Sequence, residues 1–194
     1  MVKIGAQNVL ERKFLADKIE TISIDGDQIF TISVSTSQAK HITVTSTLDG
    51  EYQQQFQIIT KQEANQLGIK LEPFKFATIA DDKRNAHKVI AATLVLEIPE
   101  GLNLNVISNI GSVNLMGSFN KLNINLSQGH FYAKGDANSA SISTVEGYIK
   151  VITTYANVEA ISKNGMVVLD VFKSNNTSWK LNSINGDITV AKQE

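Results

Sequence analysis

Apolar and polar residues alternate in several segments of the first hundred residues. Ile22 and Ile24 alternate with Thr and Ser, Asp25-Gly26-Asp27 turns the chain, and Ile32 and Val34 resume the alternation. A period of two that is rich in Ile, Val and Thr and is cut by Asp-Gly turns is typical of antiparallel hairpins. No ten-residue window shows a convincing helical period. The pattern therefore predicts antiparallel strands for this half of the chain.

Glycine recurs at a fixed spacing in the second half. Gly111, Gly129, Gly147 and Gly165 are 18 residues apart, and Gly186 follows after 21 residues. The position five residues before each glycine and the positions two and four after it are apolar in all five repeats, and the position six before it is polar. We interpret each repeat as two short strands joined at the glycine, which supplies a φ above zero at no Cβ cost.

A single repeat cannot bury its apolar side alone, so we expect the repeats to stack and share one core. The constant spacing favours a five-rung parallel β-solenoid, which is β-helix-like, with Trp179 plugging the core at the last rung. An antiparallel meander stays open as an alternative, because Asn164-Gly165 and Asn185-Gly186 are strong hairpin signals. The predicted fold class is all-β, with antiparallel N-terminal strands that lead into the solenoid.

The composition changes near residue 100. Residues 101–194 hold 14 asparagines and residues 1–100 hold 3, and Pro99-Glu100-Gly101 has the character of a junction. We therefore assign 1–98 to an antiparallel N-terminal capping region and 99–194 to the repeats of about 18 residues. The strand at 89–98 is expected to pair with the first rung and to join both parts into one body.

Two segments of the repeats resemble a known bacterial family. Ser108-Asn109-Ile110-Gly111-Ser112-Val113 and Ser183-Ile184-Asn185-Gly186-Asp187-Ile188-Thr189-Val190 look like the repeated unit of bacterial "putative adhesins" with a head-GIN-type β-solenoid domain of unknown function. The lead-in at 96–102 resembles the entry to that domain, and the resemblance covers roughly 90–194. It implies a β-rich solenoid and an exported protein of a Gram-negative bacterium, and it brings no catalytic residues.

Charge and cysteine content exclude several classes of partner and site. The net charge is -1, which removes the electrostatic case for nucleic acid or an anionic membrane. With no Cys, the chain has no disulfide, thiolate metal site or Cys nucleophile. The longest nearly apolar run, 89–96, is far below the ~20 residues of a membrane helix. No charged-then-apolar leader opens the sequence, so we expect that an exported form has already lost its signal peptide.

Candidate catalytic and metal-binding chemistry is sparse. The sequence has no P-loop, nucleophile elbow, zinc-protease helix or dinucleotide fingerprint, and its three histidines stand apart from one another. The alternative to a binding module is a carbohydrate-active β-helix enzyme, either a polysaccharide lyase or a hydrolase. Glycoside hydrolysis needs two nearby carboxylates, yet Asp136 and Asp170, the acids nearest in register, are expected two rungs apart. We predict no enzyme activity, no cofactor and no metal.

The most informative predicted surface is the outward side of the strands that follow the repeat glycines. It carries aromatic, apolar and cationic side chains at His130, Tyr132, Tyr148, Lys150 and Met166. Exposed patches of this kind often mark binding sites, and Tyr is favoured at interfaces. Three interpretations remain open: the first half or the loop at 77–88 covers the patch, a protein partner docks on it, or it forms a platform for a glycan.

The functional prediction follows from these features. We expect a non-enzymatic, extracytoplasmic module of the periplasm or cell surface that is adhesin-like or structural. Its partner would be a protein or a glycan surface, and a homo-oligomer is one option. Nucleic-acid binding and membrane insertion are not expected.

Overall fold

The computed structural model describes residues 8–49, 56–73, 91–173 and 176–194, and every regular element in these ranges is a β-strand. The prediction of an all-β chain is confirmed. The strands form one mixed sheet that does not close on itself. In chain order they are β1 (Asn8–Leu15), β2 (Thr21–Asp25), β3 (Ile29–Ser37), β4 (His41–Asp49), β5 (Phe56–Glu63), β6 (Gln66–Pro73), β7 (Ala91–Pro99), β8 (Asn103–Ser108), β9 (Ser112–Gln128), β10 (Phe131–Glu146), β11 (Ile149–Thr153), β12 (Val158–Ser162), β13 (Val167–Leu169), β14 (Ser178–Asn185) and β15 (Ile188–Lys192).

The strands lie in two rows that share the long strands β9 and β10. The first row runs β1-β4-β7-β3-β9-β10-β11-β15-β13. The second row runs β5-β6-β2-β8-β9-β10-β14-β12. Alternate residues of each strand point inward, and the buried apolar side chains form one cluster. Hydrophobic burial along both rows is therefore what holds the chain together.

The strands of the repeats pair in parallel and in register. Ile124 is aligned with Ile142, and Phe131 is aligned with both Val113 and Ile149. All five of these side chains are fully buried, as the apolar columns of the sequence predict. The two strands that flank a repeat glycine pair with other repeats, so the described strands do not form the antiparallel meander.

The stacking order of the repeats differs from their order in the chain. β14 lies between β10 and β12, and β15 lies between β11 and β13, so the fifth repeat is inserted between the third and the fourth. The expected position of Trp179 at the end of the core is therefore wrong. Its side chain is 1% exposed in an interior rung, aligned with Ala140 on one side and Val158 on the other. Because Ala140 is small, it leaves space that the indole ring fills. Protein interiors are close-packed, so such space needs a large neighbour.

The repeat glycines form a column, although not for the reason that their spacing first suggests. Positive φ angles occur at Gly129 and Gly147, at 137° and 141°, but not at the other three. What all five share is close backbone approach. A Cβ on any of them would come well inside 3 Å of a backbone carbonyl oxygen, which belongs to Ile29 at Gly111 and to the glycine of the adjacent repeat at the other four, for example Gly147 at Gly186. Glycine is needed here because the rungs touch through their backbones.

The N-terminal half departs from the predicted hairpins. β2 and β3 flank Asp25-Gly26-Asp27 but do not pair with each other. β2 pairs in parallel with β6 and β8, and β3 pairs in parallel with β7 and β9, which aligns Ile24 with Val106 and Ile32 with Val113. This arrangement buries the apolar side of β2 and β3 against the first repeat. Antiparallel pairing is found for β1 with β4, β4 with β7 and β5 with β6.

The strand expected to reach the first rung lies one position farther out. β7 pairs with β3 and β4, and it is β3 that pairs with β9 of the first repeat. A hydrogen bond also crosses from the repeats to the first half, where Ser108 Oγ donates to the carbonyl oxygen of Gly26 at 3.0 Å. The division at residue 98 remains a prediction.

Candidate functional site

Two aromatic rings of the predicted patch stack on each other. His130 and Tyr148 precede β10 and β11, which pair in parallel, so the two side chains are neighbours on the outer face of the first row. Their ring centroids are 4.0 Å apart and the planes differ by 11°. This is a tight stacked pair, and each ring has one face occupied by the other.

A ladder of hydrogen bonds holds these rings in place. The Ser112 hydroxyl accepts from the His130 backbone N–H at 3.0 Å, and His130 Nδ1 accepts from the Tyr148 backbone N–H at 3.1 Å. In the neutral imidazole this bond leaves Nε2 to carry the proton, because Nδ1 is used as an acceptor. The same relationship recurs farther along, where Asp187 Oδ1 accepts from the Met166 N–H at 2.8 Å.

The structure brings four of the five predicted binding residues together. Tyr132 is aligned with Lys150 in the same pair of strands that carries His130 and Tyr148. Met166 is separate, because the inserted fifth repeat places Asp187 between it and Tyr148. The expectation of one continuous patch through Met166 is therefore wrong, and the cause is the order of the rungs.

The patch is open in the part of the chain that the structure describes. Tyr148 is 45% exposed, His130 and Lys150 are exposed, and Tyr132 is partly buried. The loop at 77–88, which the sequence offered as one cover for this face, lies outside the described residues. Cover by that loop stays a prediction.

A shallow groove of about 220 Å³ extends the patch from Tyr132 toward the N-terminal strands. Its exposed apolar lining comes from Val95 of β7 and Met116 of β9, and Ser33 and Ser35 of β3 lie between these two strands. Sequence reasoning missed Val95 and Met116. Their approach depends on the pairing of β7 with β3 and of β3 with β9, which no repeat spacing reveals.

A larger groove of about 550 Å³ lies on the outer face of the second row. Its floor includes Gly68, which has no side chain to fill the space above the strand. A Cβ added there would meet its nearest described neighbour only at 3.5 Å. The sides carry Ile59 and Ile107, and the polar lining includes the amides of Asn105 and Asn123. The groove is thus apolar along its sides and offers amide donors and acceptors.

The charged rim of this groove is made by β5 and β6. Lys61 pairs with Glu63 at 2.5 Å, and Lys70 forms an ion pair with Glu72. A hydrogen bond from Lys70 to Glu72 and then the Glu72 charge raise the pKa of Lys70, to which Asp25 adds. Lys70 therefore stays protonated at the rim. The only sign of the groove in the sequence is Gly68, a glycine within a strand. Such a glycine is a weak signal that another group approaches the backbone closely or that no side chain fills the space.

Two carboxylates of the repeats accept hydrogen bonds from a neighbouring repeat. Asp136 Oδ1 accepts from Thr153 Oγ1 at 2.8 Å and from the Thr154 N–H at 2.9 Å, and Asp170 Oδ2 accepts from the Lys192 N–H at 2.8 Å. The predicted separation of Asp136 and Asp170 by two rungs is wrong. β10 and β13 are three strands apart, which strand spacing alone makes roughly 14 Å.

Glu159 of β12 and Lys180 of β14 are aligned and form an exposed ion pair at 3.8 Å. Among the described residues no group of three His, Cys, Asp or Glu side chains lies close enough to hold a metal ion. The described ranges also contain no helix with the length and apolar character needed to cross a membrane.

Solved structures of two other proteins are similar to this chain. A "putative cell adhesion protein" from Clostridium sporogenes superposes with a TM-score of 0.65 at 9% identity, over 97% of this chain and 100% of that one. A "putative adhesin" from Bacteroides fragilis has a TM-score of 0.39 at 14% identity, over 97% and 98% of the two chains. No family model and no curated protein matches the sequence. The Clostridium structure shows a shared fold, and the weaker likeness adds no argument.

Proposed function

We propose that this chain is a non-enzymatic, extracytoplasmic binding module, adhesin-like in role, whose scaffold is a five-rung parallel β-solenoid. The parallel, in-register pairing of the repeats supports the scaffold. The adhesion name of the similar Clostridium structure supports the role and a location at the cell surface. The binding residues are His130, Tyr132, Tyr148 and Lys150, together with Val95 and Met116 of the adjoining groove.

The stacked pair of His130 and Tyr148 is the observation that carries this proposal. Stacking and the bond to His130 Nδ1 fix both rings before any partner arrives, so binding would lose little side-chain entropy there. Rigid aromatic groups beside exposed apolar and cationic side chains are typical of protein interfaces.

Ring orientation favours a protein partner over a glycan at this patch. Sugar rings are held on the open faces of aromatic side chains, whereas His130 and Tyr148 turn a face toward each other. The stack occupies one face of each ring, and it leaves the ring edges, the Tyr hydroxyl groups and the Lys150 ammonium group available for contact. A protein surface with carbonyl and carboxylate groups matches these donors.

The groove over Gly68 is the second candidate site, and it suits a glycan better. Its volume of about 550 Å³ can hold a few sugar units, and Asn105 and Asn123 offer amide groups for sugar hydroxyls. The two sites lie on different rows of strands, so their contributions can be separated by mutation.

This proposal is tested by measuring how tightly the labelled chain binds to immobilised bacterial envelope material and, in parallel, to a glycan array. We expect Tyr132→Ala with Tyr148→Ala to lower envelope binding at least tenfold, with an unchanged unfolding transition. Tyr155→Ala is the matched control, because Tyr155 is exposed and lies outside the patch. Protease treatment of the envelope should abolish binding, and periodate oxidation of its glycans should not.

Three results would count against this proposal. Equal binding by the patch variant and the Tyr155 control would remove the aromatic patch as the site. Loss of binding after periodate, together with sensitivity to Asn105→Ala and Asn123→Ala, would transfer the function to the groove. Release of reducing ends or unsaturated sugars from polysaccharides by the purified chain would support the alternative, a carbohydrate-active β-helix lyase or hydrolase.

A further inference from the structure

Among the strands that the structure describes, the stack of repeats ends at β12 and β13, and we call this the open end. Within the described ranges β12 pairs only with β14 and β13 only with β15, so each has one edge without a strand partner. The inward side chains of Val167 and Leu169 are 39% and 40% exposed, whereas Ile188 and Val190 in the same columns of β15 are buried. Apolar strands with a free edge readily pair with another chain.

The unpaired backbone groups on β12 belong to alternate residues. The Lys163 N–H donates to the Ser183 carbonyl, so the odd-numbered residues of this segment bond toward β14. Successive residues of a strand direct their N–H and C=O groups to opposite edges. Ala160 and Ser162 therefore direct theirs away from β14, toward the open end.

β13 has the same arrangement. The Asp170 N–H donates to the Val190 carbonyl, so the even-numbered residues bond toward β15. Val167 and Leu169 direct their backbone groups toward the open end. Both rows thus end in strands that offer donors and acceptors at alternate residues.

We propose that these two edges pair with the same edges of a second copy of this chain, about a twofold axis that joins the molecules end to end. In antiparallel pairing centred on Ile161, Ala160 faces Ser162 of the partner subunit, and the backbone groups of this pair point at each other. When β13 pairs with its copy in an antiparallel register centred on Val168, Val167 faces Leu169 of the partner subunit in the same way. Isologous pairing of this kind is the commonest route to a dimer.

Charge and shape agree with this register. Centring on Ile161 sets Glu159, which also pairs with Lys180 of its own chain, opposite Lys163 of the partner subunit, and the twofold axis repeats this contact. Ile161 lies four residues before Gly165 and Val168 three residues after it, so one axis perpendicular to both rows passes near both residues. The inward Val167 and Leu169 would then be covered as their equivalents in the interior rungs are.

The opposite end of the molecule is unsuited to the same pairing. The edge strand β1 carries consecutive charges at Glu11, Arg12 and Lys13, and the edge strand β5 carries Lys61 and Glu63. Several charged residues on an edge strand discourage pairing with another chain, whereas Glu159 is the one charged residue within β12. Association therefore closes at two copies, with the charged ends pointing outward.

Sedimentation equilibrium of the purified full chain tests this proposal. We expect the mass of two chains for the unmodified protein and of one chain for Ile161→Lys with Val168→Lys, which sets like charges at the axis. Both side chains are exposed in the single molecule, so the variant should keep its unfolding transition. Val145→Lys, at an exposed apolar site on an interior rung, is the matched control and should remain dimeric.

A cysteine variant tests the register itself. The chain has no native Cys, and Ile161→Cys should form a disulfide-linked dimer under mild oxidation while Val145→Cys should not. A single-chain mass for the unmodified protein at every concentration would overturn the proposal. So would a dimer that survives the two lysines, a linkage through Val145→Cys, or a series of ever larger masses. None of these results bears on the aromatic patch, so the proposed function is judged separately.

Discussion

Gly186 packs directly against the backbone of Gly147, although Gly165 lies between them in the chain. A Cβ on Gly186 would collide with the Gly147 carbonyl oxygen, and a Cβ on Gly165 would collide with that of Gly186. The order along the column is thus the third, fifth and fourth repeat. This exchange decides which side chains meet on the outer faces and which repeat forms the open end.

Replacing Gly186 with Ala tests the close approach of the rungs. The added methyl group has no room beside the Gly147 carbonyl, so we expect a loss of about 1–3 kcal/mol in the free energy of unfolding, measured with urea. Gly186 has no positive φ, so this loss reports crowding alone. Gly68→Ala is the control and should change stability by less than about 0.5 kcal/mol. Equal effects at both sites would argue against backbone contact between rungs.

Trp179 combines full burial with an unpaired donor. Its Nε1 finds no acceptor among the described residues. Trp179→Phe removes the unpaired N–H, which is favourable, and part of the packing, which is unfavourable. We therefore expect the free energy of unfolding to change by less than about 1.5 kcal/mol. Trp179→Ala leaves a cavity and should cost about 3–5 kcal/mol. Circular dichroism in urea measures both, and a harmless Ala variant would mean that Trp179 is not in the interior rung.

Ser108 links the first repeat to the N-terminal half. Its hydroxyl donates to the Gly26 carbonyl at 3.0 Å and accepts from the Gly111 N–H at 2.9 Å, and it is buried. Ser108→Ala should therefore lower the free energy of unfolding by about 1–3 kcal/mol, since it leaves the Gly111 N–H without this acceptor. Thermal or urea unfolding of the exposed control, Ser127→Ala, should show almost no change. A loss at Ser127 equal to that at Ser108 would contradict this account.

The inward columns could be predicted from sequence because a period of two and a repeat of 18 determine which side chains face the core. Ile124, Ile142 and Ile149 are buried as predicted. The order of the rungs could not be predicted, because every repeat presents the same apolar columns and the same backbone edges to either neighbour. The one sign in the sequence was the longer spacing of 21 residues before Gly186. The extra residues allow the chain to pass back over one repeat.

The same limit explains what was missed at the candidate site. Local alternation correctly placed His130 and Tyr148 side by side, just before two adjacent strands, because the second and third repeats are neighbours in both orders. It wrongly joined Met166 to them, because that step assumed the chain order of the rungs. The roles of Val95 and Met116 depend on pairing between distant segments, for which the alternation within each strand carries no signal.

The order of the rungs can be measured directly with paired cysteines in a chain that has none. Ser141 is aligned with Lys180 on the adjacent strand, and Glu159 lies one strand farther, at roughly 10 Å from Ser141 by strand spacing. A disulfide needs Cα atoms within about 7 Å. We expect Ser141→Cys with Lys180→Cys to form an intramolecular disulfide under mild oxidation, and Ser141→Cys with Glu159→Cys to form none. The reverse result would contradict the insertion of the fifth repeat and, with it, the open end at β12 and β13.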